Sequence, residues 1–146
     1  MRRPLALAAL VLLLSAPEAR AATTCIAAAT TVAFGTVAFA AVNSSGTVSV
    51  ICNGTASFTV TLSTGGSGSF SPRKMSSGAN KLNYNLYKDS AHTQIWGDGT
   101  GGTVTNASSL GASGGTKSFT AFGQVPAQAL PAPGSYTDTI TVTVSY

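Results

Sequence analysis

Apolar and polar positions alternate most cleanly over residues 135–146, which read S-Y-T-D-T-I-T-V-T-V-S-Y. Tyr136, Ile140, Val142, Val144 and Tyr146 share one parity, with Asp138 among them. Thr137, Thr139, Thr141, Thr143 and Ser145 share the other. Successive side chains of a strand point to opposite faces, so this segment predicts a strand with an apolar ridge on a core and a threonine face toward water. A long apolar strand left at an open edge templates aggregation unless charge, proline or a cover blunts it. Here Asp138 and Pro133 stand only at its beginning. Two readings follow: an edge kept for a partner, or an inner strand paired on both sides within its own domain.

The same alternation recurs upstream. Val32-Ala33-Phe34-Gly35 followed by Val37-Ala38-Phe39 predicts a first strand, bent or bulged near Gly35. Asn43-Ser44-Ser45-Gly46 reads as a turn, and Val48, Val50 and Cys52 then alternate up to the hairpin signal Asn53-Gly54. Phe58, Val60 and Leu62 mark a third strand, and the glycine-serine run 64–70 a loop. Arg73-Lys74-Met75 opens a short edge strand; Leu82, Tyr84 and Leu86 face inward from the next one. Asp89-Ser90-Ala91 turns the chain toward Ile95-Trp96-Gly97-Asp98-Gly99, and residues 100–116 hold at most a short strand around Val104. Residues 117–125 form a strand in which either Phe119 or Phe122 must face out. Pro126, Pro131 and Pro133 exclude an inner strand between there and the terminal one. Six or seven short strands, no helix and one buried face each predict an all-β fold, an immunoglobulin-like β-sandwich of two antiparallel sheets.

The beginning of the chain belongs to export. Arg2 and Arg3, the apolar run 5–14 and Ala19-Arg20-Ala21 read as a signal peptide over residues 1–21, leaving one domain at 22–146. That portion carries five basic side chains (Arg73, Lys74, Lys81, Lys88 and Lys117) against Asp89, Asp98 and Asp138, a net charge of +2. No basic cluster larger than Arg73-Lys74 exists, which argues against nucleic-acid or anionic-membrane binding. So few charges give little defence against self-association, which suits a structural material. Cys25 and Cys52 are the two cysteines. In an exported chain a single disulfide between them is the expectation, and closing that loop would stabilise the fold by about 3–4 kcal/mol on the chain-entropy model.

Candidate chemistry is sparse. His92 is the one histidine, with Asp89 three residues before it. No serine sits in a nucleophile elbow, so a hydrolase built on His92 has little to stand on. The run Gly97-Asp98-Gly99-Thr100-Gly101-Gly102 resembles a single calcium-binding turn, but such turns work in tandem arrays. Asn43, Asn53 and Asn106 begin N-glycosylation patterns, which such a serine- and threonine-rich chain produces by chance. Tyr84, Tyr87, Trp96 and Tyr136 would make a sugar-stacking platform, although alternation sends Tyr84 into the core. No cofactor, metal or catalytic residue is expected.

Taken in order, several stretches resemble the spore coat protein U domain, the subunit family of archaic chaperone-usher pili. They are Cys25 with Phe34-Gly35, Cys52 before Asn53-Gly54, Arg73-Lys74-Met75, Leu82-Asn83-Tyr84-Asn85-Leu86-Tyr87-Lys88-Asp89, Ile95-Trp96-Gly97-Asp98-Gly99, Phe122-Gly123-Gln124-Val125-Pro126-Ala127, and Gly134-Ser135-Tyr136-Thr137-Asp138-Thr139 with the strand after it. The resemblance implies an immunoglobulin-like subunit lacking its final strand, with a hydrophobic groove beside the terminal one. A periplasmic chaperone would fill the groove first, and the N-terminal extension of a neighbouring pilus subunit would replace it at the outer-membrane usher. It further implies groove walls of Val32, Phe34, Val37 and Phe39 on one side and Ile140, Val142, Val144 and Tyr146 on the other, with the Tyr146 carboxylate as an anchor for a chaperone cation. The product would be exported through the periplasm to the cell surface, in a pilus or a spore coat. One departure bears on the role. Cleavage after Ala21 would leave Ala22, Thr23 and Thr24 before Cys25, a reach of roughly 10 Å, too short to donate a strand. A subunit that accepts but does not donate would cap a fibre or sit in a coat. The alternative is a self-contained secreted sandwich that binds carbohydrate or protein through loops in 90–116.

Overall fold

A computed structural model describes residues 22–146; the expected leader, 1–21, lies outside the described residues. The domain is all-β, with eight strands: β1 Cys25–Ala29, β2 Val42–Cys52, β3 Ala56–Leu62, β4 Arg73–Ser77, β5 Asn80–Tyr87, β6 Asn106–Leu110, β7 Gly115–Val125 and β8 Val142–Ser145. Two antiparallel sheets face each other as an immunoglobulin-like sandwich. One has the order β1-β2-β7-β5-β4 and the other β6-β3-β8. Val48, Val50, Phe58, Val60, Leu62, Leu82, Tyr84, Leu86 and Val125 fill the space between them. Each belongs to an alternating run whose other parity is mostly polar, Ile51 and Phe122 being the apolar exceptions, which is why one face of each sheet is buried.

Trp96 joins the sheets. Its indole N–H donates to the Val60 carbonyl at 3.0 Å, and its backbone N–H to Leu86 at 2.9 Å, tying β3 to β5. Phe119 turns inward, edge-on to Phe58 and Trp96, while Phe122 lies on the outer face, in register with Ser45 and Tyr87. One of the two phenylalanines therefore faces out, as the strand's period requires.

Four expected elements differ. The expected turn Asn43-Ser44-Ser45-Gly46 lies instead inside β2, paired residue by residue with Gln124 to Ala121 of β7, so the ladder overrides the local turn preference of Asn, Ser and Gly. The first strand is Cys25–Ala29, not the Val32–Phe39 stretch; residues 30–41 leave the ladder. The reason is a hollow in the inner face of the larger sheet at Gly46 and Gly123. A Cβ on Gly123 would lie 2.7 Å from Val32 and 2.8 Å from Phe34, so these two side chains occupy room that only glycine leaves. The expected short strand around Val104 is a single bridge to Trp96, and the strand itself runs Asn106–Leu110. The terminal strand is regular only over Val142–Ser145. Before it, Thr137 bridges to Ser76 of β4, so the chain passes from one sheet to the other between them.

Candidate functional site: an open groove beside the terminal strand

The terminal segment keeps the predicted alternation. Tyr136, Asp138, Ile140, Val142 and Val144 are partly buried, and the intervening threonines are exposed. None of the row reaches full burial, although Val60 and Leu62, its partners on β3, do. The cause is the missing neighbour. β8 pairs with β3 along one edge, and among the described residues no strand pairs with the other. Thr141 receives the backbone N–H of Ser63 at 3.0 Å. By the antiparallel alternation, Thr141, Thr143 and Ser145 aim their backbone groups at β3, while Ile140, Val142, Val144 and Tyr146 aim theirs at the open side. The residues with inward apolar side chains are thus the ones with free backbone donors and acceptors.

A cavity of about 920 Å³ lies along this side, between residues 29–37 and 130–142, over a floor that includes Val48, Leu82, Tyr84, Leu86 and Ala121. Of the eight residues expected to wall a groove, Val32, Phe34, Val37, Ile140 and Val142 line it. Val144 packs on the core further along. There β1 comes within 8 Å of β8 without hydrogen bonding to it, so the groove narrows toward the carboxyl end. Phe39 and Tyr146 stand outside it, 74% and 58% exposed. Phe39 misses the wall because the chain bends away from the cavity after Val37 on its way to β2.

The polar end of the groove is Asp138. Its carboxylate accepts the Tyr84 hydroxyl at 2.7 Å and the backbone N–H groups of Gly66 and Thr139, each at 2.8 Å. Gly65 must be glycine here: its φ is +67° and a Cβ would collide with that carboxylate. Burial, then the bond to Asp138, raise the Tyr84 pKa far above the usual phenol range. Behind them Arg73 is fully buried. Its Nε and Nη2 donate to the Ser63 carbonyl at 3.0 and 2.8 Å, Nη2 also to the Trp96 carbonyl at 2.8 Å, and Nη1 to Asn85 Oδ1 at 2.8 Å. Phe70 lies across the guanidinium at 5.1 Å. Burial lowers its pKa, against the opposing influence of Tyr84 and Asp138.

The other candidates fall into structural roles. Asp89 spends its carboxylate on Thr93 and Gln94, which lowers its pKa chiefly through the Thr93 hydroxyl; His92 packs edge-on to Tyr87 at 5.2 Å. Asp98 caps its own turn through Thr100, whose hydroxyl is the main cause of its lowered pKa. Tyr84 and Trp96 are buried, so no aromatic platform forms, and Asn106 is buried within β6. Cys25 and Cys52 face each other in register on β1 and β2 and are joined as a disulfide.

Comparison with known proteins bears on this geometry. Residues 10–143 match the family model described as the Spore Coat Protein U domain. Among curated proteins, nothing matches. Among solved structures, the chain is similar to one in the crystal structure of the CsuC–CsuE chaperone–tip adhesion subunit pre-assembly complex, from the archaic chaperone-usher Csu pili of Acinetobacter baumannii. The TM-score is 0.61 and the identity 24%, over 85% of this chain and 40% of that one. This chain therefore spans about two fifths of that chain's length, and the likeness is one of fold.

Proposed function

The chain belongs to the Spore Coat Protein U domain family, and on that footing we propose that it is a structural subunit of a bacterial surface fibre or spore coat, assembled by accepting a β-strand. The observation that carries this reading is the coincidence at β8 of a free backbone edge, an inward apolar row and a cavity of about 920 Å³. An inserted strand would pair with Ile140, Val142 and Val144 and lay alternate side chains over Tyr84, Leu86 and Val48. Toward Val144 it would have to push β1 away from β8.

In this reading residues 1–21 direct export, and a periplasmic chaperone fills the groove before a neighbouring subunit replaces it at an outer-membrane usher. The similar fold captured in a chaperone–subunit complex supports that order. A capping position follows if cleavage falls after Ala21. Thr24 is already tied to Asn53 by hydrogen bonds of 2.8 and 3.1 Å, so little chain would be left to donate. Sequencing the amino terminus of the exported protein tests the cap, and a mature start well upstream of Ala22 overturns it. The main reading is tested by periplasmic expression with and without a chaperone of this assembly class. A stable one-to-one complex is expected; an equally abundant, soluble monomer in both cases counts against it.

A further inference from the structure

A buried arginine without a carboxylate partner is costly unless every donor is used. Arg73 uses its donors on Ser63, Asn85 and Trp96, and the consequence appears at the start of β8. In an antiparallel ladder a hydrogen-bonded pair exchanges two backbone bonds. Ser63 and Thr141 exchange one. The Ser63 N–H donates to the Thr141 carbonyl at 3.0 Å, but the Thr141 N–H ends on the Ser63 hydroxyl, at 2.9 Å. The Ser63 carbonyl is occupied by two bonds from Arg73. The β3–β8 ladder therefore stops at this pair. Upstream, Thr137 exchanges two backbone bonds, of 2.8 and 3.0 Å, with Ser76 on the strand that bears Arg73.

We propose that Arg73 is a positioning residue for the partner-strand groove: by withdrawing the Ser63 carbonyl from the ladder it fixes where the terminal chain crosses between sheets, and so where the open edge begins. This rests on the groove reading above. With the carbonyl released, Thr141 would bond to it directly, the ladder would lengthen toward Asp138, and the first free pairing positions, Ile140 and Val142, would shift. Asp138 marks the other limit of the crossing, since its bonds to Gly66 and Tyr84 tie it to the turn that follows β3 and to β5.

The test uses the whole mature chain as Arg73→Lys, which keeps the charge but cannot serve four acceptor contacts, and as Ser63→Ala, which keeps the carbonyl and removes the hydroxyl. Hydrogen exchange is followed residue by residue, and a synthetic peptide of alternating valine and threonine is titrated by calorimetry. In Arg73→Lys the amide of Thr141, bonded to the released Ser63 carbonyl, should exchange at least about tenfold slower and that of Gly66 faster, while those of β2 and β7 keep their rates, and the peptide should bind roughly tenfold more weakly. Ser63→Ala, in which Arg73 still holds the carbonyl and the hydroxyl is gone, should instead speed Thr141 at least about tenfold, and it carries the test if Arg73→Lys does not fold. Uniform acceleration across all strands, or unchanged rates at Thr141, overturns the assignment of Arg73. Equal peptide binding by the unaltered and Arg73→Lys chains does so too. If the unaltered chain takes no peptide, the groove reading itself fails, a result separable from the exchange pattern.

Discussion

Val60 and Val142 are two valines on the inner face of adjacent strands, and placing aspartate at each should have opposite consequences. Val60 is 0% exposed and enclosed between the sheets. A carboxylate there is shut off from water, and the several kcal/mol lost is comparable with the whole stability of a domain this size. Val142 lines the open cavity of about 920 Å³. In the free chain an aspartate at 142 stays solvated, so the loss is that of one partly buried valine, about 1–2 kcal/mol. A strand inserted into the cavity would seal the same carboxylate from water. The penalty moves into the complex, and even about 3 kcal/mol of it weakens binding more than a hundredfold. Urea melts followed by circular dichroism should therefore show Val142→Asp folded and Val60→Asp unfolded. Calorimetry with an alternating valine–threonine peptide should detect binding to the unaltered chain and none to Val142→Asp. Binding retained by Val142→Asp, or unfolding as complete as at Val60, would refute the idea that this side of the sandwich is left open for a strand.

Three further outcomes follow from the same geometry. Because the folded Tyr84 phenol holds its proton well above its ordinary pKa of 10.0, the unfolded chain loses that proton first as pH rises. The stability that this phenol contributes is complete below pH 10 and should be lost above it, and thermal melts of Tyr84→Phe should show a smaller alkaline loss, the remainder including that of Tyr87, whose pKa burial also raises. Gly123→Ala should cost about 1–3 kcal/mol by driving Val32 and Phe34 out of their hollow, with Val32→Ala recovering part of it in a double-mutant cycle by urea melt. The amides of Val142 and Val144, aimed at the open edge, should exchange faster than those of Thr143 and Ser145 in the free chain and become protected once a peptide is bound, as hydrogen exchange by NMR will show.

The sandwich and its terminal strand were legible because one physical signal, alternation, was repeated in nearly every segment. Where the structure departs from the reading, another force overrides that signal. Val32 and Phe34 alternate like strand residues, yet they fill a glycine hollow across the inner face, a relation that period two does not encode. Cys25–Ala29 carries three alanines and little strand propensity; pairing with β2 and the disulfide to Cys52 hold it in the sheet. Arg73 was legible only as an edge residue, since a charge is expected outside and its acceptors at Ser63, Asn85 and Trp96 are scattered along the chain. In the groove, parity identified the inward row from Ile140 to Val144. The approach of β1, which narrows it, depends on how the sheets are packed.

The lone tryptophan also gives the molecule an optical property. Trp96 is wholly enclosed, bonded through its indole to β3 and set against Phe119, and it is not among the residues that line the cavity. Its fluorescence should be blue-shifted and should stay so whether the cavity is empty or filled. A red shift will mean that the sheets have parted. Emission colour thus reports integrity independently of occupancy, without any added dye.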